Sequence, residues 1–154
     1  MIFNEERIRS ACYRPFVKRQ TYFDRIITHR TYQQDNIFPI ALNVDTIIER
    51  TSVNIEICVN IGNKAFNVLA ADVLPDYHFN GDSNCIPFYY YDQKGNRINN
   101  ITDWGLQQFT SHYQDDSISK EDIFHYVYGV LHNPVYRQKY EINLKREFPR
   151  IPLY

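Results

Sequence analysis

The side chains best suited to catalysis in this chain are its histidines, serines and paired aspartates, but their spacing does not indicate an active site. No serine lies in the Gly-x-Ser-x-Gly turn that exposes a nucleophile. The five histidines form no His-Glu-x-x-His motif, and His125 and His132, seven residues apart, are more typical of one helix face than of a metal site. Asp72 and Asp76 lie on either side of Leu74-Pro75, an arrangement typical of a turn. We therefore predict no catalytic residue and no metal site.

The segment Asn133-Pro134-Val135-Tyr136 resembles the Asn-Pro-Pro-Tyr motif with which adenine methyltransferases hold a flipped base. In those enzymes the motif follows a β-strand, whereas here it lies between two helical patterns. Asn as a helix N-cap and Pro as the first helical residue account for it fully. The five glycines form neither Gly-x-Gly-x-x-Gly nor Gly-x-x-x-x-Gly-Lys, so S-adenosylmethionine and ATP have no obvious binding turn. We therefore predict that the chain binds no cofactor.

A segment in which cations alternate with aromatic residues favours binding over catalysis. Residues 13–25 read YRPFVKRQTYFDR. Arg and Lys bind phosphates or guanine edges, and aromatic rings pack against sugars and bases, although a half-buried strand with solvated basic residues is an equal alternative. A polar turn at residues 62–64 could enter a DNA groove, or be an ordinary exposed turn. The candidate DNA-binding residues are Arg14, Lys18, Arg19, Tyr22, Arg25, Arg30, Asn63, Lys64, Lys94 and Arg97.

Charge is distributed unevenly along the chain, although the net charge is only −1. Residues 1–30 carry seven Arg and Lys against three Asp and Glu, and residues 134–154 carry five against two. The intervening residues carry five against thirteen. The basic ends could form one DNA-facing side if they meet in space, or they could dock on the acidic centre. The near-neutral total argues against a general polyanion-binding protein.

The three cysteines and the hydropathy pattern bear on cellular location. Cys12, Cys58 and Cys85 are odd in number and widely spaced, as expected for reduced thiols in the cytoplasm. No apolar run approaches the ~18 residues of a membrane span, and no signal sequence is recognisable. We therefore predict a cytoplasmic protein without membrane contact.

Hydrophobic patterns predict strands in the middle of the chain. Val53, Ile55, Ile57 and Val59 alternate with polar or small residues, which is typical of a half-buried strand. Other strands are predicted over 21–23, 65–70 and 87–91, with a hairpin loop over 92–96 and a short helix over 4–12.

The last third of the chain has the pattern of helices. Thr102 or Asp103 begins a helix with Leu106, Phe109 and Tyr113 on one face, and Ser119 with Asp122 predicts a capping box. A helical hairpin follows, with Ile123, Val127, Val130 and Leu131 on its first helix, Asn133-Pro134 between the helices, and Tyr136, Tyr140 and Leu144 on the second, which ends at Phe148-Pro149. The predicted fold is α+β: a small, mostly antiparallel sheet with a C-terminal helical hairpin packed on it, in a single domain over 1–154.

Several sequence blocks in a fixed order resemble the type ISP restriction–modification enzymes, large single chains with nuclease, translocase, adenine methyltransferase and target-recognition parts. The strongest block is IFHYVYGVLHNPVYR at residues 123–137, within the matching stretch 119–152. The others are YRPF (13–16), YFD (22–24), IFP (37–39), IGNKAF (61–66), DVLPD (72–76), CIPFYYY (85–91) and NITDW (100–104).

This resemblance implies that the chain is the non-catalytic target-recognition, or specificity, domain, a fragment of a larger enzyme. It would bind double-stranded DNA and position the adenine methyltransferase on an asymmetric site, with the methyltransferase and translocase domains of the parent polypeptide as its other partners. No catalytic residue is carried over, because the family's catalytic motifs have no counterpart positions here. Two alternatives stay open: a structural coupler that clamps methyltransferase to translocase with little DNA contact, and a stand-alone enzyme with an unrecognised site.

Overall fold

The computed structural model describes residues 5, 8–14, 17–22, 56–60, 65–76, 78–81, 83–92, 94 and 96–154 of the 154-residue chain. Within these residues, eight strands precede four helices. The strands form two three-stranded sheets, in the orders β2-β1-β5 and β4-β3-β6, and a two-stranded hairpin, β7-β8. The strands are β1 (Ile8–Cys12), β2 (Lys18–Tyr22), β3 (Glu56–Asn60), β4 (Val68–Ala71), β5 (Leu74–Pro75), β6 (Ser83–Pro87), β7 (Tyr89–Tyr91) and β8 (Arg97–Asn99).

The first sheet corrects the helix predicted over residues 4–12, since residues 8–12 are strand β1. Their backbone pairs antiparallel with β2, from Ile8 opposite Tyr22 to Cys12 opposite Lys18. Two turn hydrogen bonds close this hairpin, from the amide of Tyr13 to the carbonyl of Val17 and from the amide of Val17 to the carbonyl of Arg14, each 3.0 Å long. The long-range pairing, which extends to β5 on the other side, outweighs the weak helical pattern.

The second sheet has β3 at its centre, with antiparallel partners on both sides. Ile57 and Val59 pack against the C-terminal helices, whereas Cys58 packs on the opposite face with Cys12 and Phe79. The prediction of a half-buried strand is therefore wrong for the described part of β3, because residues 57–60 are all buried. The period-two alternation is kept, but the sheet is covered on both faces. The earlier part of the predicted strand, residues 53–55, lies outside the described residues.

Three other predicted strands have different bounds in the structure. The strand predicted over 21–23 corresponds to β2, Lys18–Tyr22, and residue 23 lies outside the described residues. The strand predicted over 65–70 is β4, Val68–Ala71. The strand predicted over 87–91 is wrong as a single element, because β6 ends at Pro87 and β7 begins at Tyr89. The buried Phe88 lies between them, and its carbonyl accepts the amide of Asn100 at 2.9 Å. The chain thus leaves the second sheet and forms the predicted hairpin with β8.

Four helices follow the strands: α1 (Asp103–Tyr113), α2 (Lys120–His132), α3 (Pro134–Lys139) and α4 (Glu141–Leu144). Thr102 caps α1, and the predicted capping box of Ser119 and Asp122 begins α2. Asn133 caps α3, its side chain accepting the amides of Val135 and Tyr136 at 2.8 and 3.2 Å. The second helix of the predicted hairpin is shorter than expected, because the non-helical backbone of Tyr140 separates α3 from α4.

The main core lies between the second sheet and the helices. Its buried members are Ile57, Val59, Val68, Val130, Leu131, Tyr136 and Leu144, and Val127 packs against them. The prediction that the hairpin packs on the sheet is therefore confirmed, and so is the α+β class. No helix of the described part is long and apolar enough to cross a membrane.

Candidate nucleic-acid interface

The described candidate residues lie in three places. Arg14 lies in the turn after β1, and Lys18, Arg19 and Tyr22 lie on β2. Lys94 and Arg97 belong to the β7–β8 hairpin. The remaining candidates, Arg25, Arg30, Asn63 and Lys64, lie outside the described residues, so that the shared DNA-facing side stays a prediction.

Tyr13 joins two of the candidate cations. The guanidinium carbons of Arg14 and Arg19 lie 5.4 and 5.7 Å from the centroid of its ring, within cation–π range. All three side chains are exposed. A guanidinium beside a ring is restricted in orientation, while its N–H donors still point outward from its edges. We name these three residues the Tyr13 cluster. Its two guanidinium groups present N–H donors that suit a phosphate or a guanine edge.

Lys18 differs from Arg19 in both orientation and pairing. Neighbouring strand residues point to opposite faces, so Lys18 lies on the other side of β2 from Arg19. Its ammonium group is 3.9 Å from a carboxylate oxygen of Asp72, an exposed ion pair of little strength. Arg14 is exposed, so its guanidinium is not part of a buried ion pair.

The β7–β8 hairpin presents a second cationic surface. The guanidinium carbon of Arg97 lies 4.4 Å from the centroid of the Tyr89 ring. Asp92 shapes the adjoining turn: its carboxylate accepts the amides of Lys94 and Asn96 and the side chain of Asn96, each at 2.8 Å. These hydrogen bonds, first of all the one from the Asn96 side chain, hold the pKa of Asp92 below its ordinary value. The hairpin is thus an ordered support for exposed cations.

A groove of about 530 Å³ lies between the second sheet and the helices, and sequence reasoning missed it as a site. Its polar lining comes from separate parts of the chain: Arg14, Asn67, His78, Asn80, His132 and Arg137. We name it the Arg14–Arg137 groove. Arg14 belongs to the basic stretch 1–30 and Arg137 to the basic stretch 134–154, so one cation from each basic end lines this groove. No short motif could have revealed it, because four separate parts of the chain contribute: residue 14, residues 67–69, residues 78–81, and residues 132 and 137.

Arg137 is held in the groove wall by three contacts. Its Nε donates to the carbonyl of Leu131 at 2.6 Å, its Nη2 lies 3.4 Å from Nδ1 of His132, and its guanidinium carbon lies 5.5 Å from the centroid of the Phe66 ring. The first contact satisfies a carbonyl in the last turn of α2. Burial, followed by the charge of Arg137, lowers the pKa of His132. A neutral His132 can therefore accept from Arg137 and carry its own proton on Nε2.

Asparagine side chains order the opposite wall of the groove. Asn80 donates to the carbonyl of Cys58 at 2.8 Å, and Asn67 donates to the carbonyl of Asn80 at 3.1 Å. Gly81 ends this turn with a φ of 87°, a left-handed conformation that favours glycine. The side-chain oxygen of Asn67 is buried with no hydrogen-bond donor among the described residues, so a water molecule or ligand donor would satisfy it.

The sequence profile of the Type ISP C-terminal specificity domain matches residues 1–154. The chain belongs to this family. The resemblance predicted from the ordered sequence blocks is therefore confirmed. As a Type ISP specificity domain, the chain is a recognition domain rather than a catalytic one. Among its described residues, no group of three or more His, Cys, Asp or Glu is placed to hold a metal ion.

Three solved structures contain a part similar to this specificity domain. In the cryo-EM structure of the DrdV–DNA complex, the similarity covers 98% of the chain at 44% identity with a TM-score of 0.86. A nuclease-deletion mutant of the Type ISP enzyme LlaGI, in complex with a DNA substrate mimic, is 31% identical over 99% of the chain, with a TM-score of 0.74. The ATP-dependent Type ISP enzyme LlaBIII, bound to DNA, is 30% identical over 99%, with a TM-score of 0.76.

The specificity domain corresponds to only a small part of each of these proteins. It covers 14% of the DrdV chain, 12% of the LlaGI chain and 10% of the LlaBIII chain. Among curated protein sequences, none matches the chain significantly.

Proposed function

We propose that this specificity domain recognises a defined sequence in double-stranded DNA and positions an adenine methyltransferase of its parent polypeptide on that site. The observation that carries the proposal is the similarity, over 98% of the chain, to part of DrdV in its complex with DNA. The parent would be an N6-adenine DNA methyltransferase and ATP-dependent restriction endonuclease. A cytoplasmic location suits the thiols of Cys12, Cys58 and Cys85, which form no disulfide bond in the described part of the chain.

The Tyr13 cluster supports a direct mode of base recognition. A guanidinium fork can donate to O6 and N7 of guanine in the major groove, which is the commonest specific contact between proteins and DNA. Arg14 and Arg19 are exposed and restricted in orientation by Tyr13, so binding would order them at little further entropic cost. Arg97 on its two-stranded hairpin offers a third fork, and β-ribbons fit the major groove.

The near-neutral charge of the chain makes specific contacts more important for DNA affinity than long-range electrostatic attraction. With a net charge of −1, the domain has little long-range attraction to a polyanion. Binding to unrelated DNA should therefore be weak, and most of the affinity should come from base contacts and a few phosphate contacts. A sequence preference is then the expected property of the domain, rather than tight binding to any DNA.

Selection from a random pool tests the proposal. The chain is incubated with duplexes carrying a randomised segment, and the bound duplexes are recovered and sequenced. We expect one asymmetric sequence to be enriched, and we expect the double variant Arg14→Ala/Arg19→Ala to enrich it less or not at all. Arg150→Ala, a matched exposed cation on the C-terminal segment, should enrich the same sequence as the unaltered chain. A recovered pool no different from the starting pool would contradict the proposal.

A structural coupler between methyltransferase and translocase is the second candidate function. The observation that favours it is a set of exposed apolar side chains on the helices, with Trp104, Val135 and Ile142 at 70%, 70% and 67% exposure. Exposed apolar side chains mark a contact surface for another protein part when they form one contiguous patch. If the selection fails and Val135→Ser disturbs assembly with the methyltransferase part, the coupler is the better account.

A further inference from the structure

We infer that the Arg14–Arg137 groove binds a phosphodiester group of the DNA backbone and so fixes the position of the domain on its target. This inference rests on the proposed function and adds a second contact surface to the Tyr13 cluster. Phosphate contacts of this kind set the register of a protein on DNA without selecting bases.

The charge of the groove suits a phosphate. Its described lining residues include two arginines and two histidines, and no aspartate or glutamate is among them. The nearest carboxylate along the chain from His78 is Asp76, and that carboxylate accepts the backbone amide of His78 at 2.8 Å. A concave surface lined by cations concentrates positive potential, which favours an anionic ligand.

The side chain of Arg137 is positioned to bind an anion before the anion arrives. Its Nε is engaged by the Leu131 carbonyl and its Nη2 lies near His132, so these contacts leave other N–H donors of the five-donor fork for a ligand. The Phe66 ring restricts the plane of the guanidinium. An arginine fixed before binding loses little side-chain entropy when it meets a phosphate.

The histidine side chains can complete the phosphate contacts. Nε2 of a neutral His132 is an N–H donor, as its Nδ1 lies next to a nitrogen of Arg137 that can only donate. His78 is exposed at the rim, in the turn closed by the amide of Gly81 and the carbonyl of His78. Arginine and side-chain amide groups are common phosphate ligands in DNA complexes, and a histidine N–H can donate a further hydrogen bond.

Arg14 connects the groove to the Tyr13 cluster. It lines the groove, and its guanidinium carbon also lies 5.4 Å from the centroid of the Tyr13 ring that Arg19 shares. Arg14 therefore belongs both to the groove that Arg137 lines and to the Tyr13 cluster that contains Arg19. A DNA strand whose backbone lies in the groove would place neighbouring bases within reach of Arg19.

Salt-dependent binding by the full chain tests the inference. Dissociation constants are measured between 50 and 200 mM NaCl, for the duplex recovered by selection and for a scrambled duplex. Arg137→Gln should weaken both by about tenfold and reduce the slope of log affinity against log salt by about 0.9. His78→Glu, at an exposed site, should weaken both alike through repulsion. Arg150→Ala, whose side chain is 88% exposed and paired with Glu147, should change neither quantity appreciably.

The outcomes separate this inference from the proposed function. If Arg137→Gln and His78→Glu bind both duplexes as well as Arg150→Ala does, and the unaltered chain keeps its sequence preference, phosphate binding by the groove is contradicted. The proposed function is not affected by that result. If the unaltered chain shows no sequence preference, the proposed function is contradicted. The salt slopes of the variants would still show whether the groove binds a phosphate. If the Arg137→Gln variant does not fold, the effect of His78→Glu alone shows whether the groove binds a phosphate. Weakened assembly with the rest of the parent polypeptide at unchanged DNA affinity would assign the groove to an acidic protein segment and overturn the inference.

Discussion

Arg14 and Arg137 line the same groove, although one follows the first strand and the other lies near the end of the chain. The sheet and the helices that pack on it bring them together. This relationship places one cation from each basic end in the same groove, whereas a shared DNA-facing side of the two ends stays a prediction. Within the described part of the chain, docking of a basic end on the acidic centre has a counterpart in the weak, exposed pair of Lys18 with Asp72.

Arg19 and Lys18 form a matched pair for the proposed base contact. Arg19 shares the Tyr13 ring with Arg14, whereas Lys18 points to the other face of β2 and pairs with Asp72. We expect Arg19→Ala to cost about 1–3 kcal/mol of binding free energy on the selected sequence and to relax the preference at one position. Lys18→Ala should leave the preference intact. Binding measured against single-base variants of the selected duplex checks both, and equal effects of the two substitutions would remove Arg19 from the interface.

Leu131 is a test of the core between the sheet and the helices. Its side chain is 2% exposed and packs with Ile57, Val59 and Tyr136. Leu131→Ala should lower the free energy of unfolding by about 2–5 kcal/mol, because it removes buried methyl groups and leaves a cavity. Val135→Ala, at 70% exposure on the adjoining helix, should change it by less than about 0.5 kcal/mol. Urea denaturation measures both, and similar losses for the two variants would contradict this description of the core.

Asn133 has a structural role that explains its resemblance to a methyltransferase motif. Its side-chain oxygen accepts two backbone amides at the start of α3. Asn133→Ala should lower the free energy of unfolding by about 1 kcal/mol, whereas Asn133→Asp keeps the acceptor and should cost less. Neither variant should change which DNA sequence is selected. A loss of sequence preference in a folded Asn133→Asp variant would show that the residue does more than cap a helix.

The capping box of α2 predicts a pH dependence of stability. Hydrogen bonds from Ser119, first its hydroxyl and then its backbone amide, lower the pKa of Asp122 below its ordinary value of 3.8. The folded state therefore favours the carboxylate, and this contribution is present above the unfolded-state pKa and lost as the pH falls through the lower folded-state pKa. Ser119→Ala should lower the free energy of unfolding, measured by urea denaturation, by less at pH 2.5 than at pH 6. In an Asp122→Asn background this decrease should be the same at both pH values.

The helical part of the fold could be predicted closely because its signals are local. Thr102, Ser119 and Asn133 each cap the helix that follows them, as their side chains indicate without reference to the rest of the chain. The division of the second hairpin helix at Tyr140 was not predictable, since Tyr136, Tyr140 and Leu144 keep a regular four-residue spacing across it.

The strands and the groove depend on long-range contacts, and prediction was less successful there. Residues 8–12 carry no strong strand pattern and become a strand by pairing with β2 and β5. Cys58 and Asn60 look like an exposed strand face, but a second layer containing Cys12 and Phe79 covers Cys58. The groove combines side chains from four separate parts of the chain, so its signal in the sequence is limited to the excess of basic residues at both ends.

A domain exchange with DrdV tests the central claim most directly. The segment of DrdV that matches this chain is replaced by the chain itself, and the sequence bound by the hybrid is determined by selection from random duplexes. The 44% identity and the TM-score of 0.86 make the two segments suitable for exchange. If this domain recognises the target, the hybrid should bind the sequence selected by the chain alone and lose the sequence preferred by DrdV. A folded hybrid that keeps the DrdV sequence would contradict the account.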